Sequence, residues 1–118
     1  MNERFLKWIK SDANEFFSSI PISEVEAPVG PNDSYTRMTN VTDRFTGKVS
    51  VKNNGNFELE VQDSEGKMVL FEHHEIDDTA SFEQLLSRYK ELLSQGQISG
   101  TPQTLQYMRY HRYTNSRR

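Results

Sequence analysis

Between Phe45 and His73 the chain alternates apolar and polar residues, and it stops to turn twice. Phe45, Gly47, Val49 and Val51 alternate with Thr46, Lys48 and Ser50. Asn53-Asn54-Gly55 follows, and then Phe57, Leu59 and Val61 alternate with Glu58, Glu60 and Gln62. Ser64-Glu65-Gly66 makes a second break before a third run over 67–73. A period of two places successive side chains on opposite faces of a strand. Such runs joined by turns fold as an antiparallel meander with one face buried and one wet. Asn-Gly is the preferred pair of a type I′ hairpin turn, which is the expectation at Asn54-Gly55.

The flanking segments supply the cover for the buried face. Phe5, Trp8, Ile9, Phe16, Phe17 and Ile20 recur at helical spacing, which predicts a helix over 3–19 capped by Asn2 and ended by Pro21. Phe82, Leu85, Leu86, Tyr89, Leu92 and Leu93 predict a second helix over 80–95. Ser81 with Gln84 resembles a capping box there, and Gly96 stands at the left-handed C-cap position. Pro21, Pro28, Gly30 and Pro31 mark residues 21–33 as an extended connector, and 34–42 reads as a further strand. The expected fold class is α+β, an antiparallel sheet of about four strands in hairpins with both helices packed on one face. Residues 1–103 are taken as the single domain. Residues 104–118 are a basic Tyr/Arg tail, an edge strand or short helix with a disordered end from Thr114.

A chain of 118 residues can bury roughly two-thirds of its unfolded surface without a staple. It has no cysteine, which excludes disulfides, thiolate metal sites and a thiol nucleophile. No apolar run is long enough to span a membrane, and Met1–Phe5 has no signal-peptide character, so the expected compartment is the cytoplasm. The net charge of −3 conceals an asymmetry: residues 1–96 hold all 17 acids and 10 of the 14 basic residues. That body, at −7, repels phosphate and suits a basic partner. The acids expected on the wet face and nearby turns are Glu58, Glu60, Glu65, Glu72, Glu75, Asp77 and Asp78, with His74 among them. Tyr107, Tyr110 and Tyr113 are candidate aromatic anchors.

The motifs of common enzyme chemistries are missing: there is no Gly-x-Ser-x-Gly elbow, P-loop or Rossmann glycine fingerprint. Glu72-His73-His74-Glu75 with Asp77 and Asp78 is the densest group of potential metal ligands. Adjacent strand residues point to opposite faces, however, and Asp78 replaces the second His of a zincin motif. The expectation is therefore a binding protein with no catalytic residue, cofactor or metal. The alternative is an RNA-binding module, using Tyr107, Tyr110 and Tyr113 interleaved with Arg109, Arg112, Arg117 and Arg118.

The series Gly47-Lys48-Val49-Ser50-Val51, Gly55, Phe57-Glu58-Leu59-Glu60-Val61, Gly66 and Val69-Leu70-Phe71-Glu72-His73 resembles small bacterial immunity proteins of contact-dependent growth inhibition. The acid-rich step into Phe82 and the N-terminal Phe5-Leu6-Lys7-Trp8-Ile9 helix fit the same pattern, so the likeness covers about 1–95. It is nearest the subgroup that opposes tRNA-cleaving toxins acting with elongation factor Tu. The resemblance implies a non-catalytic inhibitor that occludes the nuclease domain at the C-terminus of its cognate toxin. It leaves open a ternary complex with elongation factor Tu held through the toxin, and expects no direct contact with nucleic acid or membrane. No contact residue carries over from the family. On the charge argument, Glu60→Ala or Glu72→Ala is expected to weaken binding with little change in melting temperature.

Overall fold

The computed structural model describes residues 1–28 and 34–96, and the backbone of Tyr107–Tyr110. The alternating runs form strands β3 (Phe45–Lys52), β4 (Asn56–Asp63) and β5 (Met68–Glu75). They are preceded by β1 (Ile22–Glu26) and β2 (Tyr35–Val41), and the tail contributes β6 (Tyr107–Tyr110). The sheet order follows the sequence, β1-β2-β3-β4-β5-β6. The first five strands are antiparallel, and β6 runs parallel to β5 at the edge.

Two departures from the expected sheet have simple causes. The connector expected over 21–33 holds β1, because Pro21 and Pro28 flank Ile22–Glu26 and remove no donor from its ladder. Within that span, residues 29–33 lie outside the described part. Residues 107–110 adopt the edge strand rather than the helix. A parallel neighbour needs a crossover, and the helical residues of 82–95 lie within it. The remainder of the tail, including Thr114–Arg118 and Tyr113, lies outside the described residues.

The hairpin turns share one device. Lys52 O accepts from Gly55 N at 3.0 Å, and Asp63 O accepts from Gly66 N at 3.0 Å. Gly55 and Gly66 have φ of +94° and +84°, whereas Asn54 has no positive φ. Both are therefore type I turns closed by a left-handed glycine, and the type I′ expectation at Asn54-Gly55 is corrected. The Asp63 carboxylate reinforces the second turn by accepting from the backbone of Glu65 and Lys67, each at 2.9 Å.

Each expected helix is broken once. The N-terminal one divides into α1 (Asn2–Ser11) and α2 (Ala13–Phe17) at Asp12. The other divides into α3 (Phe82–Leu85) and α4 (Ser87–Gln95) at Leu86. The first break lets one aromatic cluster close, with Trp8 5.6 Å from Phe16 and Phe17 6.2 Å from Tyr89 between ring centroids. Met1, not Asn2, takes the first N-cap position. Ser81 caps α3 by accepting from Gln84 N at 3.2 Å, and Gly96 ends α4 with φ +81°. The helical pairs are tied together by Trp8 Nε1, which donates to Glu83 Oε2 at 2.8 Å.

All four helices sit on one face of the sheet. Beneath them lie Met38, Val49, Val51, Phe57, Leu59, Val61 and Leu70, all essentially buried. The closest fit is at Tyr89. Its ring lies over Gly47, where an added Cβ would come within 2.5 Å of Oη and 2.7 Å of ring carbons. Its hydroxyl donates to Asn40 Oδ1 at 2.7 Å, and Asn40 Nδ2 donates to the carbonyl of Pro21 at 2.9 Å. Gly47→Ala is therefore expected to overpack this junction and lower stability by about 1–3 kcal/mol. Chemical denaturation checks this, and an unchanged midpoint would show that Tyr89 moves without cost.

Candidate functional site

The helices leave the other sheet face without a described cover. The register runs two rows of side chains across it. One row is Glu26, Arg37, Ser50, Glu58 and His73; the other is Glu24, Thr39, Lys48, Glu60 and Phe71. In the first row Arg37 lies 3.5 Å from Glu26, and its Nε donates to Ser50 Oγ at 3.0 Å. Glu58 Oε2 lies 3.1 Å from His73 Nδ1. In the second row Lys48 and Glu60 are cross-strand neighbours. Among the described residues neither forms an ion pair. Between the rows is an open groove of about 220 Å³ lined by Arg37, Lys48, Ser50, Glu58, Leu59 and Glu60.

This arrangement sorts the residues expected on an acidic surface. Glu58 and Glu60 do face outward, beside Glu75 on the next strand. They do not form a single-sign row, because Lys48 and Arg37 stand on the neighbouring strands. Glu65 is exposed at the β4–β5 turn, at the opposite end of β4 from Asp77 and Asp78. The eight residues of β4 put roughly 25 Å between those ends at about 3.3 Å per residue. Asp77 serves a local turn, accepting from Thr79 N at 3.0 Å and Thr79 Oγ1 at 2.6 Å. Tyr107 and Tyr110 are register partners of Leu70 and His73, and their side chains lie outside the described part. The RNA-binding alternative rests on the same tail.

Glu72 and His74 are corrected outright: they belong to the helix-covered face. Leu70 points inward, and the period of two carries Glu72 and His74 with it. Glu72 is 0% exposed and His74 4%. His74 Nε2 lies 2.8 Å from Glu72 Oε1, while Arg88 Nε on α4 donates to Glu72 Oε2 at 2.7 Å. His73 meanwhile faces out, so the adjacent histidines are split between the faces, as alternation requires. Among the described residues no group of three or more His, Asp and Glu side chains could hold a metal ion.

The buried carboxylate matters for stability. Burial alone would push the Glu72 carboxyl up, but hydrogen bonds from His74 and Arg88 and their charges hold it below its ordinary value. A depressed folded value means stability present above the unfolded value and lost as pH falls through the ordinary carboxylate range toward the folded one. Glu72→Gln is therefore expected to cost about 3 kcal/mol at neutral pH, since it removes the charge that pairs with Arg88 and turns an amide NH2, a donor, toward either His74 or Arg88. The gap from the parent protein should shrink as the medium is acidified, when Glu72 itself is neutral. Urea denaturation at a series of pH values reads both effects. The earlier expectation for Glu72→Ala, weaker binding at an unchanged melting temperature, gives way to a loss of stability.

Comparison with known proteins places this arrangement in a family. No match was found among curated proteins. A family model described as immunity protein TriTu matches residues 3–92, which take in strands β1–β5 and the four helices except Asn2 of α1 and the end of α4. The chain belongs to this family of immunity proteins.

Proposed function

We propose that this chain neutralises a cognate toxin nuclease by binding it through the helix-free face of the sheet and occluding its active site. The observation that carries the reading is the outward pair Glu58 and Glu60 on β4, in a protein of an immunity family. A nuclease must hold phosphate, so its active site is basic, and exposed carboxylates complement it. The acidic body, −7 over residues 1–96, speeds encounter with such a partner. The resemblance of the hairpins to immunity proteins that oppose tRNA-cleaving toxins supports a tRNase as the target. It also supports a ternary complex in which the toxin, not this chain, holds elongation factor Tu. The inhibitor acts by binding, without catalysis or cofactor, in the cytoplasm where tRNA is cleaved. No described helix is long and apolar enough to cross a membrane.

Co-expression with the immediate upstream gene tests the reading. Tagged chain should recover a stoichiometric basic nuclease domain that is toxic when expressed alone. Recovery of this chain by itself, with a harmless neighbour, would overturn it. Within the complex, Glu58→Ala and Glu60→Ala should each weaken affinity by about 2 kcal/mol or more, the usual cost of removing one partner of a desolvated charge pair. Their melting temperatures should stay close to that of the parent, because both side chains project from the covered core. Calorimetric titration and thermal melts separate the two quantities.

A further inference from the structure

The groove on the open face carries opposite charges on its two sides, and this bears on what it binds. Glu58 and Glu60 form one wall on β4, and Arg37 and Lys48 the other on β2 and β3. Arg37 is already engaged by Glu26 at 3.5 Å and by Ser50 at 3.0 Å. Lys48 is different: it is exposed, and no carboxylate of the described residues lies in ion-pair range of it, although Glu60 is its cross-strand neighbour. At about 220 Å³, open and lined by polar groups, the groove is below the usual size of small-molecule pockets, roughly 300–1,000 Å³. It is suited to side chains of a protein partner.

Building on the toxin-binding reading, we infer that this groove receives a mixed-charge segment of the toxin. A Lys or Arg meets Glu58 and Glu60, and an Asp or Glu beside it meets Lys48. A uniformly basic partner surface would bring cations against Lys48 with water excluded, and like charges placed together this way oppose binding strongly. One acidic side chain in the segment turns that repulsion into a pair. The two toxin charges must be spaced like neighbouring strands, about 4.8 Å apart, to reach β3 and β4 together. Lys48 then determines specificity: it rejects basic surfaces that lack the carboxylate, including those of other nucleases.

The two models of the partner predict opposite signs for one substitution. Against a uniformly basic toxin, Lys48→Glu adds a favourable charge and tightens binding. Against the mixed-charge segment it leaves the toxin carboxylate facing a new carboxylate and a buried mismatch. The experiment is calorimetric titration of the toxin domain encoded upstream with the full-length parent, Lys48→Glu, Lys48→Gln and Glu60→Lys. The expected result is a loss of about 30-fold or more for Lys48→Gln, and a larger loss for Lys48→Glu and Glu60→Lys. Unchanged or tighter binding by Lys48→Glu overturns the inference, and a concurrent loss for Glu60→Lys would leave the toxin-binding reading intact. Failure of the parent chain to bind the domain overturns both. Thermal melts of each free variant accompany the titration. Lys48→Gln, which removes only the charge, carries the test where Lys48→Glu disturbs folding.

Discussion

The seating of Tyr89 on Gly47 decides which side of the sheet is inside. A tyrosine ring reaches the backbone of β3 only where the residue beneath it has no side chain, and Gly47 supplies that place. Burial then obliges the hydroxyl to find a partner, and Asn40 on β2 provides it at 2.7 Å. Asn40 in turn holds the carbonyl of Pro21 at the entrance to β1. One side chain on α4 therefore locates three strands. Phe17 packs edge-on against the same ring, so α2 is placed by it as well. Burial and the charge of Glu60 push the Tyr89 hydroxyl well above its ordinary value, so it stays a neutral donor across the physiological range. With both helical pairs committed to this face, the opposite face has no helix over it among the described residues.

The cluster of Glu72, His74 and Arg88 solves a second problem on the same face. A strand position fixed as inward by parity carries a carboxylate, and desolvating it unpaired would be costly. Arg88, about one-third exposed, keeps part of its guanidinium in water while its Nε reaches the buried acid. The pair pins α4 to β5, whereas Tyr89 pins it to β3. Two polar contacts on one helix, Arg88 with Glu72 on β5 and Tyr89 with Asn40 on β2, fix its direction as well as its distance. Apolar packing alone leaves that choice looser, because hydrophobic contacts are non-directional.

Much of this was legible in the sequence, and the failures share a cause. Alternation at Phe45–Val51 and Phe57–Val61 located two strands and their faces, and helical spacing at Phe82–Leu93 located the second helical region. Ser81 and Gly96 marked its ends correctly. The prolines hid β1, because what matters is whether a proline falls within a ladder, and Pro21 and Pro28 fall on either side of one. The breaks at Asp12 and Leu86 depend on how aromatic rings meet across the core, which spacing does not encode. The misplacement of Glu72 and His74 came from ranking residue type above parity. Leu70 already fixed the phase of β5, and counting in twos from it puts both residues inside. The candidate surface was half legible for a similar reason. The acids of β4 were visible along the chain, but their neighbours Lys48 and Arg37 lie across strands and appear only once the register is known.

That last point separates two roles of charge that composition merges. Over distances beyond a Debye length of about 8 Å, a partner senses the summed field of the body, and this governs how often the surfaces meet. At contact, water is excluded and the individual neighbours dominate, because each charge must find a partner within a few ångströms or remain buried without one. The body is acidic at long range, yet the groove it presents at short range is divided between Glu58 and Glu60 on one side and Lys48 and Arg37 on the other. A net charge of this sign attracts basic proteins indiscriminately. Recognition of one among them has to come from the local pattern, and placing beside two glutamates a lysine that forms no ion pair among the described residues is a direct way to build discrimination into an otherwise attractive surface.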